Sequence, residues 1–324
     1  MNILVLYSSE TQTGIIYGLK SSGHTVIAFN YGLNKLNKIQ RLYYKLTNSR
    51  WQRIKYQFNF EIRKAYEYQK KNPQDIIIIL KGHTIIPETK LLLQQIQAKK
   101  IQWTIDSVTR WPGQASLFPY MDKVFFQDGS DLGLHGNSKW LPLGFDNTLF
   151  RFNDKKDIDI LLLGNLQQPY YSNRKECFLK IAPLAQRGYN VCFAGSNASN
   201  DVLSVFKKNG VKVLGKNRLK EYAQIISRSR ICINIHQNDG CMAINPLFFA
   251  IPATGGIQLT DNYKYLENWL TPNKHYFPTD INSIEKDIIP LLTLNGLSED
   301  LAMEVERKHS YNARAKYLLL DDAE

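Results

Sequence analysis

Short apolar runs alternate with longer stretches of helical period along most of the chain. In the first half, Ile3–Tyr7, Thr25–Asn30, Asp75–Leu80, Ile101–Ile105, Lys123–Gln127 and Trp140–Leu143 read as strands. The run IIIIL at 76–80 shows no polar alternation, which predicts a strand covered on both faces and hence a parallel sheet. Between the strands, Gly14–Ser22 reads as a helix closed by Gly23, and Pro87–Lys100 as a helix with proline in its first turn. A second series opens with DIDILLLG at Asp157–Gly164. It continues through Asn190–Gly195, Val211–Leu214, Ile231–Ile235 and Ile257–Thr260, with helices between, and Ser298–Leu320 reads as one or two closing helices. This order predicts an α/β protein of two Rossmann-like domains whose parallel sheets face a cleft. The polar link Phe152–Lys156 places the domains at 1–152 and 153–308, with 309–324 a C-terminal helix that could return to the first domain.

Composition supports two cores: the chain has 324 residues, 44% of them hydrophobic. No apolar run reaches the length of a membrane span. The opening MNILVLYSSETQTG lacks a basic leader and a small-residue cleavage site, so it reads as a first strand and not as a signal peptide. Cys177, Cys192, Cys232 and Cys241 form no C-x-x-C pair and read as reduced thiols, which predicts a cytoplasmic protein. The six histidines are scattered, and no metal-ligand spacing stands out.

Charge changes the picture more. Of the net +12, nine charges fall between Leu33 and Asn72, where eleven Lys and Arg face only Glu61 and Glu67. Tyr43, Tyr44, Trp51, Tyr56, Phe58, Phe60, Tyr66 and Tyr68 are threaded through the same stretch, and no Gly or Pro interrupts it, so it reads as helical. One reading is a solvated helical face with core aromatics. The other is a docking surface for a polyanion: DNA, an acidic glycan or an anionic lipid surface. On the second reading Lys45, Arg50, Trp51, Arg53 and Lys55 are the candidate acceptor-docking residues.

The segment Ile231–Asp261 reads as strand, polar loop, short helix, Gly-Gly turn and strand. Glycines admit close approach of backbone N–H groups to an anion, so Thr254, Gly255 and Gly256 are candidates to cradle a diphosphate; the alternative is a plain tight turn. Gly164 and Asn165 close the first strand of the second series, where a backbone turn meets a bound phosphate, and Arg174 adds charge there or caps a surface helix. His236 follows an apolar strand, and Asn245 precedes Pro246 as a ligand group or as a helix cap. For a general base the order is Asp106 after IQWTI, Glu10 in the loop after the first strand, and His83 after IIIILKG. The loop SSETQTG also shares T-x-T-G with flavodoxin phosphate loops, a weak signal that leaves the second domain unexplained.

The run NPLFFAIPATGGIQLTD (Asn245–Asp261) resembles the CgeB-like, spore-maturation type of glycosyltransferase. WLPLGFD at Trp140–Asp146, Asp159–Gly164 followed by Arg174, and His309, Tyr311 and Arg314 as a closing H-x-Y-x-x-R are similar to that family too. Lys81-Gly82, Trp103 and Asp106 agree in the first domain. The resemblance implies the GT-B architecture and a nucleotide-sugar, a UDP-sugar first, bound by the C-terminal domain as substrate. It implies transfer of a hexose or pentose to a hydroxyl acceptor held by the N-terminal domain. No cofactor and no metal are expected, because helix ends, glycine amides and Arg174 can neutralise the diphosphate. One departure stands out: Leu247 and Ala250 replace the Arg and Glu that the family carries before the Pro-Ala-x-Gly-Gly turn. The charge excess keeps a phage-type transferase acting on hydroxymethylated DNA bases as one alternative. The missing Glu keeps a non-catalytic binding protein on a transferase scaffold as another.

Overall fold

The computed structural model describes residues 1–32, 38–46, 50–167, 171–215, 218–236 and 241–320. The chain forms two compact units. The first comprises Met1–Leu143, Cys241–Ala243 and the C-terminal residues from Arg314, and the second Gly144–Gly240 and Ile244–Ala313.

In the first unit, β1 (Asn2–Tyr7), β2 (Thr25–Asn30), β3 (Ile76–Leu80), β4 (Lys99–Trp103), β5 (Lys123–Phe126) and β6 (Ser138–Trp140) make one sheet in the order β2-β1-β3-β4-β5-β6. Every pairing is parallel. All five residues of β3 are buried, as their uninterrupted apolar character requires of a strand covered on both faces. Its helices are α1 (Thr13–Ser21), α2 (Lys38–Leu46), α3 (Arg50–Lys71) and α4 (Pro87–Gln95). Along α3, Ile54, Phe58, Ile62 and Ala65 recur at helical spacing and join the core beside Leu4, Leu6, Ile77 and Ile79. The described residues of the basic stretch from Lys38 to Lys71 are thus helical, as expected.

In the second unit, β7 (Ile158–Asn165), β8 (Val191–Ser196), β9 (Lys212–Val213), β10 (Ser229–Ile233), β11 (Ile257–Asp261) and β12 (Phe277–Thr279) form a sheet in the order β12-β11-β10-β7-β8-β9, again parallel throughout. Around it run α5 (Ser172–Ile181), α6 (Asn200–Asn209), α7 (Leu219–Ser227), α8 (Leu247–Ala253), α9 (Ile284–Leu291) and α10 (Glu299–His309). The last helix, α11 (Tyr311–Leu319), belongs to the first unit from Arg314 on, and its Tyr317 ring meets Phe125 of β5. In each sheet the strand order reverses direction once, between β1 and β3 and between β10 and β7. Ligands of open α/β sheets bind at the carboxyl ends of the strands at such a point.

One helix end, the division between units and one strand differ from the expectation. The helix beginning at Pro87 stops at Gln95, because Ile96 turns extended (ψ 117°) and Lys99–Lys100 already pair with β3. The division between units falls at Leu143/Gly144 and not after Phe152. The intervening residues hold to the second unit: Tyr311 N–H donates to the Phe145 carbonyl (2.8 Å), and Asn147 Nδ2 to Glu306 (2.8 Å). Strand β12 lacked a distinct signal, since FPT is short and contains proline. No helix among the described residues is long and apolar enough to cross a membrane.

Candidate functional site

The carboxyl edge of the second sheet gathers most of the expected donor-binding residues. Gly164 near the end of β7 has φ +123°, and a Cβ there would lie 2.7 Å from Arg174 Nη1. Only glycine lets the guanidinium approach the strand so closely. Arg174, buried on the first turn of α5, reaches across the reversal point. Its Nε donates to the Ile235 carbonyl (2.9 Å), its Nη2 to the same oxygen, and its Nη1 to the Asn165 carbonyl (2.9 Å). Tyr171 stacks on it, 4.3 Å from ring centroid to guanidinium carbon. Burial lowers the Arg174 pKa from its ordinary value, while neighbouring Tyr171, Tyr222 and Asp261 oppose that shift.

His236 follows β10 and is fixed twice by the end of β11. Its backbone N–H donates to Asp261 Oδ2 (2.9 Å), and its Nδ1 lies 2.7 Å from Asp261 Oδ1. The carboxylate selects the tautomer that carries its proton on Nδ1. Nε2 is buried without a hydrogen-bond partner. A polar ladder lies beside it. Asn245 Nδ2 donates to Asn234 Oδ1 (3.0 Å), Asn234 Nδ2 to Gln258 Oε1 (2.8 Å), and Gln258 Nε2 to the Phe248 carbonyl (3.1 Å). Asn245 Oδ1, like His236 Nε2, has no partner. Two polar atoms therefore remain unsatisfied at one edge, each costly unless a ligand meets it. Asp261, Asn234 and Gln258 escaped the sequence reading; the acid ending the last strong strand, IQLTD, was the available signal.

The structure separates Thr254, Gly255 and Gly256 from this group. They terminate α8 at the opposite, amino edge, where β11 begins. Gly255 N–H donates to the Pro252 carbonyl (3.0 Å) and Gly256 N–H to that of Ile251 (3.2 Å). The Thr254 hydroxyl also folds back on Ile251 O (2.7 Å). The amides expected to grip a diphosphate are spent on ending the helix. Gly255 is glycine because φ is +80° and a Cβ would lie 2.8 Å from the Phe152 ring. The same edge holds Lys156, whose Nζ donates to the Ser227 and Thr254 carbonyls (2.8 and 2.9 Å) and whose pKa burial lowers to about 8. The triplet Asp157-Ile158-Asp159 opens β7 there, its acids facing Arg228 and Arg230. Among the described residues no group of three His, Cys, Asp or Glu is placed to hold a metal.

The carboxyl edge of the first sheet carries a different site. After β3 the backbone turns left-handed twice, at Lys81 (φ 66°) and Gly82 (φ 78°). A Cβ on Gly82 would lie 2.2 Å from Leu117 Cδ1. A lysine in that conformation is uncommon, and the turn is held by Tyr31, whose hydroxyl donates to Leu80 O (2.5 Å) and accepts from Gly82 N–H (3.1 Å). Beyond it opens a cavity of about 280 Å³ whose wall includes Trp51, Lys55, Lys81, His83, Trp111 and Gln114. The rings of Trp51 and Trp111 are 4.3 Å apart, and Trp51 stacks on His83 at 6.5 Å. The core face of α3 packs on the sheet, which carries Trp51 and Lys55 to the rim one turn apart. Lys81 Nζ lies 4.3 Å over the Trp111 ring and 2.6 Å from Asp106 Oδ2.

Both ring nitrogens of His83 and Nε1 of Trp111 are buried without hydrogen-bond partners. Burial, reinforced by the Lys81 cation, pulls the His83 pKa down to about 4, so the ring is neutral at pH 7. Asp106 and His83 thus meet around Lys81. Glu10 does not join them; it is exposed in a short 3₁₀ turn and absent from the cavity wall. Of the acceptor-docking candidates, Trp51 and Lys55 line the cavity and Arg53 is half-buried on α3, while the side chains of Lys45 and Arg50 lie outside the described residues.

Residues 174–320 match a protein family described as glycosyl transferase-like. No curated protein matches the chain in sequence. Solved structures match it over almost its whole length. Sucrose-phosphate synthase from Thermosynechococcus elongatus is 12% identical, covers 98% of this chain and 97% of its own, and has a TM-score of 0.63. HepE from Anabaena in complex with UDP-glucose is 9% identical, with 98% of each chain covered and a TM-score of 0.62. UDP-GlcNAc 2-epimerase from Neisseria meningitidis bound to UDP-GlcNAc is 12% identical, with 98% of each chain covered and a TM-score of 0.56. The fold, two Rossmann-like domains each with a six-stranded parallel sheet, is the GT-B fold, shared with solved structures described as glycosyltransferases.

Proposed function

We propose that the protein is a glycosyltransferase of the spore-maturation type. It takes a nucleotide-sugar, a UDP-sugar first, at the carboxyl edge of the second sheet and passes the sugar to a hydroxyl acceptor in the aromatic cavity of the first unit. The observation that carries this reading is Arg174 bridging the ends of β7 and β10 at the strand-order reversal, beside the unsatisfied His236 Nε2 and Asn245 Oδ1. The residues similar to glycosyl transferases begin at Arg174 and include all three.

Of the five guanidinium N–H groups, three are engaged by carbonyls, which leaves two to meet phosphate oxygens. Their charge opposes the negative charge that gathers on the departing nucleoside diphosphate as the bond to the sugar breaks. His236 Nε2 accepts from a donor hydroxyl, and so does Asn245 Oδ1. These two atoms take over the recognition that a Glu at position 250 would provide; Ala250 is buried in α8 and offers none. No metal enters this scheme.

In the first unit the acceptor ring lies against Trp51 and Trp111, and its hydroxyls meet the neutral His83, which offers one donor and one acceptor. The attacking hydroxyl oxygen bonds to the anomeric carbon and passes its proton to Asp106, while the electron pair of the broken bond leaves with the diphosphate. Asp106 is the proposed base, because Lys81 fixes its carboxylate beside the cavity.

The test is a thermal-shift screen with UDP-, GDP-, CMP- and dTDP-sugars, followed by product analysis. A donor near 100 times its Kd stabilises the native state by about 2.7 kcal/mol, and His236→Ala abolishes that shift. Absence of stabilisation by every nucleotide-sugar would overturn the reading. Conversion of a UDP-sugar to its 2-epimer without transfer would replace it with the activity named for the Neisseria protein.

A further inference from the structure

Helix α2 turns its apolar side to solvent. Ile39, Leu42, Tyr43 and Leu46 fall at i, i+3, i+4 and i+7, one stripe of a helix, and are 80, 58, 61 and 76% exposed. In a helix belonging to a core this stripe would be covered. Lys38 stands beside the stripe and is exposed, and the helix sequence also carries Arg41 and Lys45. The next helix continues the pattern: Tyr56 and Phe60 are exposed one turn apart on α3, and Lys64 Nζ lies 4.9 Å over the Phe60 ring. Basic residues beside an uncovered aliphatic and aromatic face, in a segment with nine net positive charges, are the chemistry of an interfacial helix.

We propose that α2 and the outer face of α3 dock the protein on an anionic lipid surface, with Ile39, Leu42 and Leu46 entering the headgroup boundary and the flanking cations meeting lipid phosphates. The aliphatic side chains decide between occupants. A nucleic acid backbone would engage the cations and leave three aliphatic residues against water and phosphate. A second copy would bring its own nine-charge excess against the first. A membrane alone satisfies both halves of the pattern, and this inference stands independently of the proposed transferase activity.

The experiment is co-sedimentation of the full chain with vesicles of phosphatidylcholine containing about 30% phosphatidylglycerol, compared with pure phosphatidylcholine, at low salt and at about 0.5 M salt. The wild type binds the anionic vesicles at least about tenfold more tightly than the neutral ones, and high salt weakens that binding. The variant Ile39→Ser/Leu42→Ser/Leu46→Ser loses roughly tenfold in vesicle binding with an unchanged melting temperature, since it alters only exposed side chains. Vesicle binding that survives the triple substitution would overturn the proposal. Duplex DNA binding unaffected by the triple, with no vesicle binding, would assign the surface to nucleic acid. Concentration-dependent dimerisation abolished by the triple would assign it to a second copy. Nucleotide-sugar stabilisation, measured on the same samples, reads the transferase assignment separately.

Discussion

The carboxyl edges of the two sheets occupy equivalent places in equivalent topologies, yet they use their polar residues in opposite ways. In the second unit nearly every polar group is committed to another: Arg174 to two strand ends, His236 to Asp261, Asn245 to Asn234 and on to Gln258. Among the described residues, Nε2 of His236, Oδ1 of Asn245 and two N–H groups of Arg174 are left over from that network. In the first unit His83 has no partner for either nitrogen and is surrounded by Trp51, Tyr31 and Phe58. One edge is preorganised, with its remaining groups few and fixed. The other is an aromatic recess in which Lys81 pairs with Asp106 while both nitrogens of His83 and the Trp111 N–H stay unpaired. Topology selects where a site forms; side chains decide whether it is rigid or receptive.

The contrast breaks most visibly at Arg174. Arg174→Ala leaves the buried carbonyl of Ile235 and the half-buried carbonyl of Asn165 without the guanidinium, and urea unfolding should show a loss of about 3 kcal/mol. A loss near zero would mean that the clamp is not a structural part of the edge. The next effect concerns pH. The His83 pKa lies near 4 in the fold and near the ordinary 6.5 in the unfolded chain, so between those values only the unfolded chain takes up the proton. Stability therefore falls as pH drops through that window, by at most about 3 kcal/mol from this residue, and is fully present above it. His83→Phe removes that part of the pH dependence, which denaturation at pH 7 and pH 4.5 measures by difference. The smallest effect sharpens the comparison directly. At pH 7, His83→Phe should be neutral or stabilising by up to about 1 kcal/mol, because it deletes polar atoms that pair with nothing. His236→Phe should cost about 1–2 kcal/mol, because Asp261 Oδ1 loses the imidazole N–H while Oδ2 keeps the backbone N–H. Equal responses at the two positions would erase the distinction.

The strands of both sheets were legible because buried parallel strands are short, apolar and uninterrupted, as IIIIL and DILLLG are. Gly164, Asn165, Arg174 and His236 were legible because residues at the carboxyl ends of such strands can be counted along the chain. The Gly255-Gly256 turn was misplaced although its position was readable: a turn that leads from a helix into a strand lies at the amino edge, away from the ligand edge. Its composition suggested a phosphate cradle, and its place in the chain order argued for a helix terminator. Glu10 failed for a different reason, since the loop after β1 does fall at the carboxyl edge but its side chain points to solvent.

By itself the sequence determined the α/β alternation, the two domains, the concentration of positive charge before residue 72 and the strand ends at which chemistry gathers, because each depends on residues near one another in the chain. Only the tertiary structure decided that Asp261 holds His236, that Lys81 draws Asp106 toward His83, and that the stripe of α2 is uncovered. Those relations join residues dozens of positions apart or depend on what is packed over a face. A hydrogen bond or a buried surface exists only once the chain has folded.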